Sequence, residues 1–248
     1  MGQSTPARPT NPSTSSAGTS GGKKTAGPAR AKKQQQPVKQ GGTGILIGAA
    51  VAVVAIIVGV VVLFGGEDKK TTTADGTELK EFQAVQVTGD KLPKAPEAGV
   101  VDKAKGLAAP QATGLDFASE PKSLIESGKP TMIVFAAHWC SHCQKEIPLI
   151  TSWIKDGKSE GIDSVLVATG SDKTQGNWPP SAWLAKEGWP AKVIADDEAG
   201  TLANSYGLSG FPLVVFVDSS GKVVGRSSGE QPIETYAALA QKTLGTTP

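Results

Sequence analysis

Cysteine is nearly missing from this chain of 248 residues; the only two fall in one short run, Trp139-Cys140-Ser141-His142-Cys143. Two cysteines three apart close no long loop, so the fold is not stapled in the manner of small secreted domains. Histidine is equally scarce, and His138 and His142 lie in or beside the same run. A structural zinc site needs four ligands in tetrahedral array, which one short turn does not supply. Acidic residues are absent from residues 1–44, which carry seven Lys/Arg and almost nothing large and apolar. Such a segment cannot offset its ordering entropy, and we expect a disordered basic tail.

The next stretch has the opposite character. Residues 45–64, ILIGAAVAVVAIIVGVVVLF, contain no charge. At ~1.5 Å per residue a helix of that length matches the ~30 Å hydrocarbon core of a bilayer. A cleaved signal peptide is the competing reading, but it has a shorter apolar region and a small-residue cleavage site. Length and the sequence Val62-Leu63-Phe64-Gly65-Gly66 favour a transmembrane anchor. The cations ahead of it place the N-terminus in the cytoplasm and everything after Phe64 outside, in a single-pass arrangement. The tail also sees anionic lipid at the inner leaflet. Beyond residue 44 there remain eighteen Lys/Arg against twenty-three Asp/Glu, a net charge of −5. No basic patch interleaved with aromatic residues is present there, so nucleic acid is not an expected partner.

Residues 65–112 read as an extracytoplasmic linker with room for one edge strand at Val85-Gln86-Val87. From residue 113 to 248 the chain alternates strand-like and helix-like runs, the pattern of an α/β domain. The run Thr131–Ala137 is apolar throughout, as in a strand buried on both faces. Residues 141–156 carry Ile147, Ile150, Trp153 and Ile154 at helical spacing. Further strands are expected at 164–168, 192–195, 212–217 and 222–226. Helices are expected at 180–187, 197–206 and 232–244.

A Cys-x-x-Cys pair between a buried strand and a helix is the form of a reversible dithiol/disulfide. The helix N-terminus stabilises a thiolate at Cys140, so Cys140 attacks and Cys143 resolves. His142 adds a titratable positive charge beside that thiolate, which favours the reduced form and leans the site toward oxidation. The alternative for His142 is a solvated residue of the first turn. His138 reads as an exposed strand-end residue. Copper(I) held by the two thiolates, as in a chaperone or binding module, is a rival use of the pair.

These motifs together resemble the thioredoxin superfamily, and within it the membrane-anchored TlpA/ResA-like oxidoreductases. The resemblance rests on Met132–Trp139 before the dithiol and on Trp139-Cys140-x-x-Cys143-x-x-Glu146-x-Pro148. It extends through Tyr206-Gly-Leu-Ser-Gly-Phe-Pro212 and the strand after it. It implies a thioredoxin fold, a central mixed β-sheet flanked by helices, with a helical insertion at 171–190. It also implies that Pro212 is a cis-proline facing the dithiol, that Trp139, Phe211 and Pro212 hold substrate, and that Glu146 moves protons. Glu146 otherwise reads as a solvated helix carboxylate. Two departures bear on direction: the central strand carries no carboxylate, and the intervening pair is Ser-His. The expected activity is disulfide exchange with exported proteins, oxidant- or isomerase-leaning, with an unidentified extracytoplasmic or membrane redox partner and no cofactor or metal. Reduction of secreted apoproteins, such as cytochrome c maturation substrates, is the alternative.

Overall fold

The computed structural model describes residues 61–62, 71–97 and 99–245. The basic tail and nearly all of the expected anchor lie outside the described residues. Val61–Val62, at the end of the anchor segment, form a two-residue strand (β1) paired antiparallel with Thr71–Thr72 (β2) rather than helix. Among the described residues no helix is long and apolar enough to cross a membrane.

The rest is built on one mixed sheet. Its strands are β3 (Gln86–Thr88), β4 (Gln111–Leu115), β5 (Pro121–Ser123), β6 (Thr131–Ala136), β7 (Asp163–Ala168), β8 (Lys192–Ala195), β9 (Leu213–Val217) and β10 (Val223–Ser228). They lie in the order β10-β9-β6-β7-β8-β4-β3, with β5 also paired to β4. β6 runs parallel to β7 and antiparallel to β9, with Met132 opposite Ser164 on one side and Phe216 on the other. The helices are α1 (Ser141–Lys155), α2 (Pro180–Glu187), α3 (Thr201–Ser205) and α4 (Ile233–Thr243). This is the thioredoxin-like α/β arrangement that the resemblance implies.

The central strand shows why its sequence is apolar without alternation. Successive side chains point to opposite faces. Met132, Val134 and Ala136 join Ile147, Ile150 and Trp153 of α1 and Tyr236 of α4 in one core. Ile133 and Phe135 join Val165, Val167, Leu202 and Tyr206 in the core on the other face. Both faces are covered, so neither set can be polar.

The stretch 65–112, read as a linker with room for one edge strand, does supply an end strand, β3, and it also covers the second face. Leu92, Ala95, Ala104 and Ala109 belong to that core, and β3 and β4 are sheet strands. α3, at five residues, is too short to cover the face alone. The sequence expects it to begin at Asp197, but Gly200 at φ +66° interrupts the turn, and the helix starts at Thr201. The strap Leu92–Ala109 completes the cover. Leu92 and Ala95 donate backbone hydrogen bonds to the carbonyls of Ser205 and Gly207, at 2.9 and 2.8 Å. Arg226, its side chain fully buried, pairs with Asp102 through two nitrogens (3.0 and 2.6 Å). Its Nη1 donates to the carbonyls of Pro93 and Tyr206, both at 2.8 Å. A side chain at position 207 would collide with the Pro93 carbonyl, 2.3 Å from an added Cβ, so only glycine permits this approach.

Candidate active site

The dithiol sits where β6 gives way to α1. Cys140 is the N-cap, and its carbonyl accepts the first helical hydrogen bond, from Gln144 at 3.0 Å. No acidic side chain occupies the first turn and no side chain caps the end. The free N–H groups and the positive end of the helix dipole therefore act on Cys140. Both cysteines are free and buried. Cys140 retains 8 % exposure while Cys143 has none. Burial pushes the Cys143 thiol strongly upward; the Ala137 backbone pulls the other way, and the neighbouring Cys140 and Glu146 add to the rise.

Pro212 follows a cis peptide bond from Phe211. The Phe211 carbonyl oxygen lies 3.9 Å from Cys140 Sγ. Trp139 closes one side: its indole N–H donates to the Gly170 carbonyl at 2.7 Å, and its ring meets Phe211 edge-on at 5.8 Å. Of the residues expected to hold substrate, Phe211 thus approaches the Cys140 sulfur and Trp139 packs on Phe211. A cleft of about 530 Å³ opens there, with Cys140, His142 and Gly210–Phe211 on one side and Lys94–Glu97 of the strap on the other.

Glu146 is not a solvated helix carboxylate. It is 1 % exposed, one turn beyond Cys143. The Tyr236 hydroxyl donates to its Oε1, and the Gln231 N–H donates to the same atom at 3.2 Å. Its Oε2 has no partner. Burial raises its affinity for a proton, only partly opposed by the Tyr236 and Gln231 bonds. Tyr236, from the C-terminal helix, is a site residue that sequence reasoning missed.

His142 is exposed and is paired with an acidic side chain. Its Nδ1 lies 2.8 Å from Glu230 Oε2, and Lys145 reaches the same oxygen at 3.5 Å. The partnership with His142 holds the Glu230 carboxyl below the usual glutamate range. Glu230 is thus an acidic partner of the ring on which the oxidising expectation rests, and nothing near it in sequence signals this pairing.

The expectation for His138 is corrected outright: the ring is buried. Nδ1–H donates to the Gly176 carbonyl at 2.8 Å, and Nε2 accepts from the Asp172 N–H at 3.1 Å. Burial favours the neutral ring, as this pairing requires. The His138 carbonyl accepts side-chain amides from Gln144 (3.0 Å) and Asn177 (3.3 Å). His138 thereby ties the insertion loop to the residues just ahead of the dithiol.

A profile described as Redoxin matches residues 104–241 of the chain. The thiol-disulfide oxidoreductase ResA of Bacillus subtilis (strain 168) is 29% identical over 115 residues, covering 45% of this chain and 62% of that protein. ResA of Bacillus thuringiensis subsp. konkukian is 25% identical over 120 residues, covering 46% and 64%. The chain therefore spans less than two thirds of the length of these relatives. Among solved structures, a thiol:disulfide interchange protein of Chlorobium tepidum TLS aligns at 24% identity and a TM-score of 0.48, covering 58% of this chain and 99% of the other.

Proposed function

Because this chain belongs to the Redoxin family, we propose that it is a thiol–disulfide oxidoreductase acting on cysteines of exported proteins. One observation carries the reading: a helix-capping Cys140 against the Phe211 carbonyl and above a buried Cys143.

In the reducing direction the Cys140 thiolate attacks a substrate disulfide. The new bond joins Cys140 to one substrate sulfur, and the other leaves as a thiolate. Cys143 gives its proton to Glu146 and attacks the Cys140 sulfur. The internal disulfide forms, and the second substrate sulfur is released. In the oxidising direction the same steps reverse: a substrate thiolate opens the internal disulfide at Cys140, and Glu146 returns the proton to Cys143 as it departs. A buried carboxyl with raised proton affinity suits both directions. Trp139, Phe211 and Pro212 hold the substrate backbone beside the sulfur.

His142 supports an oxidant or isomerase role, while Glu230 at 2.8 Å favours the alternative of a reductant for secreted apoproteins. Equilibration of the full chain with glutathione decides between them. A potential near that of cytosolic thioredoxin, ~−270 mV, rules out the oxidant role. The apolar run beginning at Ile45, with its cationic leader, supports a membrane anchor that holds the dithiol outside the cell. A second dithiol carrier, in the membrane or beyond it, recharges the site. Labelling of Cys140 by a membrane-impermeant maleimide in intact cells tests the topology; labelling only after lysis counts against it.

A further inference from the structure

The cleft at Cys140 does not end with the reacting sulfur. A second hollow, about 290 Å³, begins at the same Pro96, Glu97 and Ser228 that line the first. The two form one trough leading from Cys140 between the strap and α4. Its floor is the end of β10, the last strand of the sheet. The start of that strand's outer edge is already taken: Val223 exchanges backbone hydrogen bonds with Gly106 and Leu107, at 2.8 and 2.9 Å. The end of it, Arg226–Ser228, lines the trough instead. Val100, 61 % exposed, and Leu239 give the far part an apolar surface. The near bank is not a mobile flap, because Arg226, Asp102 and the strap's backbone bonds fix it to the sheet.

We propose that this trough binds an extended stretch of unfolded polypeptide on one side of the substrate's cysteine, with an apolar side chain against Val100 and Leu239. This rests on the exchange reading above. A single disulfide occupies far less than the space provided, whereas a sheet edge that lines a trough is the natural partner of an extended chain. Unfolded polypeptide also presents apolar side chains that folded proteins bury. During exchange the polypeptide's thiolate attacks Cys140 of the internal disulfide. The Cys140–Cys143 bond breaks, a Cys140–substrate bond forms, and Cys143 leaves with the electron pair and takes up a proton.

The test uses the full 248-residue chain, oxidised to its internal disulfide. It is mixed with a capped single cysteine or with peptides carrying six residues, two of them leucine, on one or the other side of cysteine. Mixed-disulfide formation on the longer peptide should be roughly tenfold faster on one side only, the effect of one well-buried apolar side chain. Ala238→Trp, which fills the trough from the exposed face of α4, and Val100→Asp should each bring the ratio of long to short peptide near one. Thermal melting verifies that both variants fold. Equal rates for long and short peptides in the wild type, or a ratio unmoved in both folded variants, overturns the proposal alone. Failure of the capped cysteine to react overturns the exchange reading and this one with it.

Discussion

Cys140 and Cys143 stand three residues apart on one helix, in surroundings that share almost nothing. Around Cys140 are a helix N-terminus, an open cleft and the exposed His142–Glu230 pair, whose side chains are 55 % and 42 % exposed. Around Cys143 are a closed core, a carboxylate with one unpartnered oxygen, and a tyrosine. A thiol in the first setting is open to the cleft; in the second it meets only its neighbours in the core. The proposed division of labour between nucleophile and resolver rests on this contrast, and each half of it can be broken separately.

The largest effect falls on the sulfurs. Cys140→Ser should lower exchange by roughly a thousandfold or more, the usual result of removing a nucleophile. Cys143→Ala should instead leave the first attack intact and accumulate a stable mixed disulfide, visible by mass. An adduct through Cys143 in the Cys140→Ser variant, formed at the wild-type rate, would abolish the distinction. Iodoacetamide on the reduced protein at pH 7 should modify Cys140 and spare Cys143, whose thiol is held protonated by burial.

Next comes the carboxylate on the closed side. An aromatic disulfide that releases one coloured thiolate on attack and a second on resolution separates the two steps. Glu146→Gln should slow the second release by about a hundredfold at neutral pH, the typical contribution of a positioned base, and leave the first nearly unchanged. The same substitution should stabilise the fold. Burial raises the folded-state affinity of Glu146 for its proton, so the protonated form's stability is fully present below the ordinary value of 4.5. It is lost as pH rises through the folded-state value. The melting temperature of Glu146→Gln should therefore exceed wild type at pH 7 and converge with it at pH 4. Tyr236→Phe is the milder version. It removes a bond that favours the ionised carboxylate, so the half-maximal pH of the second release should move upward. An unmoved profile would reduce Tyr236 to a packing residue.

What was legible in the sequence tracks how local each signal is. β6, α1 and the dithiol are contiguous, and their apolar spacing and motif announce them. The closed half of the site depends on Tyr236 reaching Glu146 across 90 residues, and the strap depends on Arg226 reaching Asp102 across 124. Neither pairing leaves a periodicity to read. The strap resembles a linker in composition because Pro, Ala and Lys dominate it; its few apolar residues matter through the face they cover. His138 reads as exposed because the loop that buries it lies 34 to 38 residues downstream. Glu146 was legible as a motif position, but its burial was not.

The smallest effect belongs to the open side, and it tests whether His142 sets direction at all. An exposed ion pair contributes ~0–1 kcal/mol, because water and salt screen it. In this pair the histidine's charge, when present, is opposed by a carboxylate 2.8 Å away. Glu230→Gln removes that opposition, so the Cys140 thiolate gains stability, the reduced form is favoured and the protein becomes a slightly stronger oxidant. His142→Ala removes the cation and should act in the opposite sense. Each change should alter the equilibrium constant with glutathione by only ~2- to 5-fold, the range an exposed pair permits. Combined in one chain they should cancel in part, since each removes what the other opposes. If both single variants leave the constant at the wild-type value in low salt, His142 is a solvated first-turn residue. Direction then resides in the helix terminus and the buried carboxylate alone.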